Sequence, residues 1–191
     1  MKLFDGGMAP NLRRVRIFLA EKGLTAPDDP LYPDSFVPAP EPDDGEMAAQ
    51  PILVLDDDTV IDDSLAICRY FEGLRPEPPL FGRPGKEQAM VELWNRRVEL
   101  DLAPAVATAF RNINAFAPEA ENDPSFLGFL ELLDSELEDR LFVVSDHYTV
   151  ADISALVSID FVMAGKVMMP DGLVHARRWY AQVSARPSAG A

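Results

Sequence analysis

The chain has few residues that could form covalent crosslinks or metal centres. Its 191 residues include one cysteine, Cys68, and two histidines, His147 and His175. A single cysteine excludes an intramolecular disulfide framework and is typical of a reducing compartment. The histidines are far apart in sequence and lie in no HxxxH or Cys-containing motif. We therefore expect no metal site.

Positive charge is scarce and unevenly placed. Lys and Arg together number 17 against 32 Asp and Glu, so the formal net charge is −15. No Lys, Arg or His lies between Lys22 and Arg69, a stretch that carries twelve acidic residues. A chain this acidic is repelled by nucleic-acid backbones and by anionic membrane surfaces. Neither is expected as a partner.

Long hydrophobic runs are absent too. No apolar stretch approaches the roughly 20 residues that cross a bilayer, and the N-terminal MKLFDGGMAPN has no apolar core of signal-peptide length. An apolar content of 48% still suffices to bury a core. We expect a soluble, cytoplasmic protein of one or two small domains.

The first 23 residues predict a strand followed by a helix. Residues 2–5 read as the strand, and the helix runs from Asn11 to about Lys22, with Pro10 in its first turn and Gly23 after its end. The helical period predicts that Leu12, Val15, Phe18 and Leu19 face inward and that Arg13, Arg14 and Arg16 are exposed. Residues 24–50 are rich in proline and keep no regular period for long, so that at most 31–32 and 35–37 are expected as short edge strands.

Residues 50–72 predict a hairpin that leads into a helix. Asp56, Asp57 and Asp58 form the turn between two short apolar runs, and Ser64 opens an amphipathic helix that carries Cys68 on its apolar side. The free N–H groups and positive end of such a helix favour a carboxylate or phosphate beside Ser64. Alternatively, Asp62, Asp63 or Ser64 only caps its own helix.

After a proline-rich linker the chain reads as entirely helical. The clearest helix start is at Thr149, whose hydroxyl and the carboxylate of Asp152 predict a capping box, with Tyr148 packing onto Ile153. The following helix, residues 150–163, is apolar nearly all round and should be buried. His147, just before it, is expected in an exposed turn.

This order of elements resembles that of glutathione transferases. The matching segments are MAPNLRRVRIFLAEKG, QPILVLDDDTVIDDSLAICRYFE, YTVADI and RRWYAQVSARPSA. The resemblance implies a thioredoxin-like α/β domain at residues 1–75, a linker at 76–85 and an all-α helical domain at 86–191. It also implies glutathione as co-substrate, a small electrophile as second substrate, and a homodimer.

The resemblance further implies which residues bind glutathione. Pro51 occupies the position of the family's cis-proline, which leaves the Gln50 backbone free to pair with the cysteinyl part of glutathione. Asp63 and Ser64 match the pair that holds the γ-glutamyl group, with Ser64 on its carboxylate and Asp63 on its ammonium. Candidate pocket walls by position are Met8, Phe110, Asn114 and Phe116.

Two features depart from the family pattern. Family members activate the thiol with a Ser or Cys before Pro-Asn, or with a Tyr in the first strand, and here Ala9 and Phe4 stand there. Asn11 either takes that role through its amide donors or only caps its helix. The usual cation for the glycine carboxylate is also missing, unless Arg13, Arg96, Arg97 or Arg111 supplies it. The sequence thus predicts an enzyme that conjugates glutathione to an electrophile or uses glutathione to reduce a peroxide, or a transferase-fold binding module that lost activity.

Overall fold

The computed structural model describes residues 1–5, 9–26, 29–33, 35–38, 50–115, 124–165 and 167–191. Its internal contacts divide the chain into two units, Met1–Leu80 with Gly190–Ala191, and Phe81–Ala189. The predicted linker, residues 76–85, spans the division between them. Among the described residues, no helix is long and apolar enough to cross a membrane.

The first unit is a small mixed sheet with two helices. Its elements are β1 (Lys2–Asp5), α1 (Pro10–Glu21), β2 (Ser35–Pro38), β3 (Ile52–Val54), β4 (Val60–Ile61) and α2 (Ser64–Leu74). The strand order is β2-β1-β3-β4, with β1 parallel to β2 and antiparallel to β3. Phe4 pairs with Ile52, and Asp5 pairs with Pro38. The ends of β1 and β2 and the start of β3 therefore share one edge, from which the chain leads into α1.

The predicted hairpin between β3 and β4 is confirmed. Asp58 has a φ of 64°, in the left-handed region that Asp tolerates better than most residues. The Asp57 carboxylate accepts a hydrogen bond from the Thr59 N–H at 3.1 Å, and contacts with Thr59 hold the pKa of Asp57 below its ordinary value. The aspartates thus shape the turn.

Helices α1 and α2 run side by side in the same direction. Near their starts Arg14 contacts Ser64, and near their ends Lys22 contacts Glu72. The central positions of the two facing lines are Phe18 and Cys68, both fully buried. Arg14 is only 3% exposed, so the prediction that it is exposed was wrong. Arg14, Phe18 and Lys22 are spaced four apart and form one line along α1.

Polar contacts lock the far ends of these two helices to the chain that leaves the unit. The buried Lys22 ammonium lies 2.5 Å from a Glu72 oxygen and donates to the carbonyls of Pro76 and Pro78. Arg75 donates in return to the Lys22 carbonyl at 3.2 Å and pairs with Asp29 at 2.6 Å. We call this set of contacts the Lys22 interlock. It makes residues 75–78 an integral part of the first unit.

The second unit is helical around a buried central helix. Its elements are α3 (Lys86–Asp101), α4 (Ala103–Ala115), α5 (Pro124–Glu136), α6 (Val150–Ala164), α7 (Val174–Ser184) and a 3₁₀ helix (Pro187–Gly190). Helix α6 contacts α3, α4 and α7. Every residue from Val150 through Ile159 is buried, which confirms the prediction made from its uniform apolarity.

The capping box at the start of α6 is also confirmed. One Asp152 oxygen accepts from the Thr149 N–H at 2.9 Å, and the other accepts from the Val143 N–H and the Trp179 indole, each at 2.9 Å. Asp152 therefore joins the preceding loop, α6 and α7. His147 is not fully exposed as predicted: its side chain is 26% exposed and lies 3.5 Å from Glu87, since it packs against the start of α3.

Candidate functional site

The predicted binding residues of the first unit meet where α1, α2 and β3 begin. The Asn11 amide donates to the side-chain oxygen of Gln50 at 2.9 Å, which ties the first turn of α1 to the residues before β3. One turn later, Arg14 donates to the Ser64 hydroxyl at 2.8 Å, which ties α1 to the start of α2. We call the group Asn11, Arg14, Gln50, Asp63 and Ser64 the α1–α2 edge.

At the start of α2, one residue caps the helix and the next makes a buried contact with α1. Asp63 is the N-cap, and its carboxylate accepts from the Ala66 N–H at 2.7 Å. Ser64 is the first helical residue, 1% exposed, and its hydroxyl faces Arg14. The capping alternative is therefore confirmed for Asp63 and wrong for Ser64. The Ser64 backbone N–H belongs to the first turn, whose donors have no partner inside the helix.

The start of α1 lacks a side-chain cap. Its N-cap position is Ala9, and Pro10 in the first turn has no N–H to donate. Asn11 lies inside the helix and bonds Gln50 instead, so the alternative that Asn11 caps the helix was wrong. Its amide nitrogen carries two hydrogens. Gln50 uses one of them, which leaves the second for a ligand.

Pro51 is buried at the entry to β3. The cis bond expected before it is not found: among the described residues, the cis bond is the one between Glu77 and Pro78. Pro51 leads directly into the extended backbone of β3, and an X-Pro bond favours trans by about 0.5–1 kcal/mol. That the Gln50 backbone pairs with the cysteinyl part of glutathione stays a prediction.

The charges at the α1–α2 edge suit an amino-acid end group. Because α1 and α2 run in the same direction, the positive ends of their dipoles point to the same place. Arg14 adds a full positive charge behind the Ser64 hydroxyl, and Asp63 supplies a neighbouring exposed carboxylate. Ser64 and Arg14 favour a carboxylate, and Asp63 favours an ammonium group next to it.

Sequence reasoning placed Arg14 on the surface and so missed it as a candidate site residue. The available signal was its position four residues before Phe18, a residue assigned to the core, and eight before Lys22. A long cation on that line faces α2 rather than solvent. What the sequence lacked was the partner, since nothing in it pairs residue 14 with residue 64.

Comparison with known proteins identifies the family. A model described as "Glutathione S-transferase, N-terminal domain" matches residues 9–74, and one described as "Glutathione S-transferase, C-terminal domain" matches residues 117–187. The chain belongs to the glutathione S-transferase superfamily. The fold is accordingly a thioredoxin-like domain followed by a helical domain.

Three relatives match nearly the full length of the chain. Glutathione S-transferase 2 of Saccharomyces cerevisiae is 29% identical over 98% of this chain and 87% of its own. The structure of a glutathione S-transferase domain-containing protein from Marinobacter aquaeolei is 32% identical, with a TM-score of 0.80, covering 98% and 99% of the two chains. A Gtt2-class glutathione S-transferase from Vibrio parahaemolyticus is 30% identical, with a TM-score of 0.77, covering 98% and 94%.

The two positions expected to activate the glutathione thiol hold residues without a hydrogen-bond donor. Glutathione is the family's co-substrate, and its thiol becomes a nucleophile as the thiolate. Phe4 lies half-buried on β1, and Ala9 is 7% exposed before α1. Neither side chain donates a hydrogen bond, whereas the amide of Asn11, two residues after Ala9, can.

Other candidate features add little to this site. The described residues hold no cluster of three or more His, Cys, Asp and Glu side chains that could bind a metal. A cleft of about 240 Å³ lies beside the second half of α1, where Leu19, Leu24 and Tyr32 line it, and no predicted site residue does. Met8 and Phe116 lie outside the described residues, as do the side chains of Phe110 and Asn114.

Proposed function

We propose that the protein binds glutathione at the α1–α2 edge and joins it through its sulfur to a small electrophile, or uses it as a reductant. The contact between Arg14 and Ser64 at the converging helix starts carries this proposal. The γ-glutamyl carboxylate takes the Ser64 hydroxyl and backbone N–H, with Arg14 behind, and its ammonium lies near Asp63. Gln50 and Pro51 border the cysteinyl part.

The start of α1 then stabilises the thiolate form of the bound glutathione over its thiol form. The uncapped N-terminus of α1 has a partial positive charge, and the second amide hydrogen of Asn11 can bond to a sulfur anion. Both lower the pKa of a thiol placed there. In conjugation the sulfur forms a bond to the electrophilic carbon, the leaving group departs with its electron pair, and the thiol proton passes to solvent.

Calorimetric titration with glutathione tests the binding site. We expect Ser64→Ala to weaken binding by about 1.5–3 kcal/mol, the range for a hydrogen bond to a charged group. Ser184→Ala is the matched control, because Ser184 lies exposed at the end of α7 and its hydroxyl donates to Ala181 within that helix. Undetectable binding by the wild type, or equal affinity of both variants, contradicts the proposal.

A second candidate function is glutathione or ligand binding without turnover. The apolar Phe4 and Ala9 at the usual activating positions favour it. Conjugation assays separate the two: Asn11→Ala should lower turnover if Asn11 activates the thiol, and Ala9→Ser should raise it by supplying a donor. Binding that persists with no turnover in any variant favours the binding module.

We propose a homodimer and a cytoplasmic location from family membership and from the single buried cysteine. Light scattering coupled to size exclusion measures the assembly: a mass of twice 21.1 kDa is expected. A monomer at micromolar concentration contradicts the dimer.

A further inference from the structure

We propose that the side chain of Gln50 is a positioning residue for thiol activation, because it holds the Asn11 amide with its nitrogen toward the sulfur of bound glutathione. This rests on the proposed function, since it assumes that the thiol lies at the start of α1. It gives the Gln50 side chain a role separate from the backbone pairing expected at the same residue. Gln50 contacts Asn11, and Asn11 contacts the sulfur.

The sheet brings Gln50 to the start of α1. Strands β1 and β3 are antiparallel, with Phe4 opposite Ile52, so the chain enters β3 at the end of β1 that leads to α1. Gln50 lies two residues before Ile52 and 39 positions from Asn11. The Asn11 amide nitrogen donates to its side-chain oxygen at 2.9 Å. This contact therefore depends on the pairing of the strands and not on α1 alone.

An asparagine side chain needs such a partner in order to act as a defined donor. The terminal torsion of Asn is broad and roughly two-fold, so the amide can present either its nitrogen or its oxygen to the same place. An N–H directed at the sulfur stabilises its anion, whereas a carbonyl oxygen there only accepts and repels it. The preceding residues, Ala9 and Pro10, have no polar side chain that could select one orientation.

The side-chain oxygen of Gln50 selects the donating orientation. A carbonyl oxygen only accepts, so it binds the nitrogen end of the Asn11 amide through one of its two hydrogens. The second hydrogen then has a fixed direction, because both hydrogens lie in the plane of the amide. Asn11 is half-buried and Gln50 is exposed, so a ligand can reach the pair.

Replacing Gln50 by Met removes this selection and leaves the donor in place. The Asn11 amide keeps both hydrogens but rotates more freely, so part of its interaction with a sulfur anion is offset by the entropy of ordering it. The pKa of the bound thiol is then higher than in the wild type. The contacts at Ser64 do not involve Gln50 and remain unchanged.

Ultraviolet absorbance of the thiolate tests this, measured across pH on the full-length protein saturated with glutathione. We expect Gln50→Met to raise the pKa of the bound thiol by about 0.4 to 1 unit, the shift that corresponds to one typical hydrogen bond. At a pH where the thiol is protonated, affinity for glutathione should stay within about twofold of the wild type. Gln88→Met is the matched control, because Gln88 is an exposed glutamine of α3, and it should leave the pKa unchanged.

A double variant shows whether Gln50 acts through Asn11. In Asn11→Ala the donor is gone, so the addition of Gln50→Met should cause no further shift in the pKa of the bound thiol. A direct effect of Gln50 on the sulfur, or a purely structural role, predicts the same shift in both backgrounds. Equal shifts in the two backgrounds overturn the inference. Thermal unfolding checks that each variant is folded.

The other outcomes separate this inference from the proposed function. An unchanged thiol pKa in Gln50→Met overturns the inference and leaves the proposed function standing. Glutathione that binds to the wild type with the pKa of an ordinary thiol overturns activation by Asn11, and the inference with it, while the binding site stands. Undetectable binding of glutathione overturns the proposed function as well.

Discussion

Arg14 keeps its positive charge inside the first unit because a guanidinium does not lose its proton in a protein. Its contact with the Ser64 hydroxyl fixes a serine that would otherwise rotate. The same contact brings a full charge to a place where two helix dipoles already favour an anion. At the scale of single residues, affinity for the γ-glutamyl group thus depends on a side chain with little solvent exposure.

Two substitutions of Arg14 distinguish whether affinity for glutathione depends on its charge or on the geometry of its donors. We expect Arg14→Met to lower affinity for glutathione by about 1.5–3 kcal/mol, the cost of losing a charge-assisted contact. Arg14→Lys should retain part of that affinity, because it keeps the charge but loses the planar fork of donors. Calorimetry measures both, and thermal unfolding checks that each variant folds. Equal affinities of Arg14→Met and the wild type would exclude Arg14 from the site.

Cys68 gives a second prediction at this scale. Burial raises the pKa of its thiol well above the ordinary value, and the thiolate is the reactive form. We expect the native protein to resist a thiol reagent at neutral pH and to react fully once denatured. Rapid labelling of the native protein would show that α2 opens readily.

At the scale of elements, the pairing of α1 with α2 depends on a contact at each end of the two helices. Arg14 and Ser64 hold the starts together, and the Lys22 interlock holds the ends. The ammonium of Lys22 donates to the Pro76 and Pro78 carbonyls and forms an ion pair with Glu72. Its loss leaves several polar groups without partners.

Removing Lys22 should destabilise the protein strongly. We expect Lys22→Met to cost about 3–5 kcal/mol, because the Glu72 carboxylate stays largely buried without its cation. The double variant Lys22→Met with Glu72→Leu should recover part of that loss, since no charge is then left unpaired. Urea unfolding measures both. A cost below about 1 kcal/mol would mean that the pair contributes no more than a surface ion pair.

The same lysine predicts a pH dependence. Burial lowers the pKa of Lys22, and the attraction of Glu72 offsets this only in part. The unfolded chain holds the proton up to a pKa of about 10.4, so between the two pKa values the unfolded state binds more protons. The stability of the wild type relative to Lys22→Met should therefore rise with pH through that alkaline window. Urea unfolding at a series of alkaline pH values measures this difference, and a fall with pH would contradict it.

Patterns within a few residues of one another were readable in the sequence, and contacts between distant segments were not. The aspartate turn and the Thr149–Asp152 capping box were predicted because the interacting groups are close along the chain. The burial of Arg14 and the Lys22 interlock depend on partners about 50 residues away. Periodicity alone cannot reveal that a cation on a core-facing line has an acceptor opposite it.

At the scale of the whole molecule, the net charge of −15 opposes compactness. We expect the melting temperature to rise when ionic strength increases from about 10 mM to about 150 mM, since salt screens this repulsion. Each kcal/mol gained corresponds to about 2–4 °C for a chain of this size. Differential scanning calorimetry measures the change. A fall would mean that ion pairs such as Arg75 with Asp29 outweigh the net repulsion.

The carboxylate of Asp152 also limits local opening of the loop before α6, and therefore hydrogen exchange there. The amide protons of Val143 and Thr149 bond to it although both residues precede α6, and the Trp179 indole of α7 bonds to the same group. These amides can exchange with deuterated solvent only when their hydrogen bonds to Asp152 break. The amides of Val143 and Thr149 should therefore exchange as slowly as those of a buried helix. In Asp152→Ala, both should exchange together and much faster.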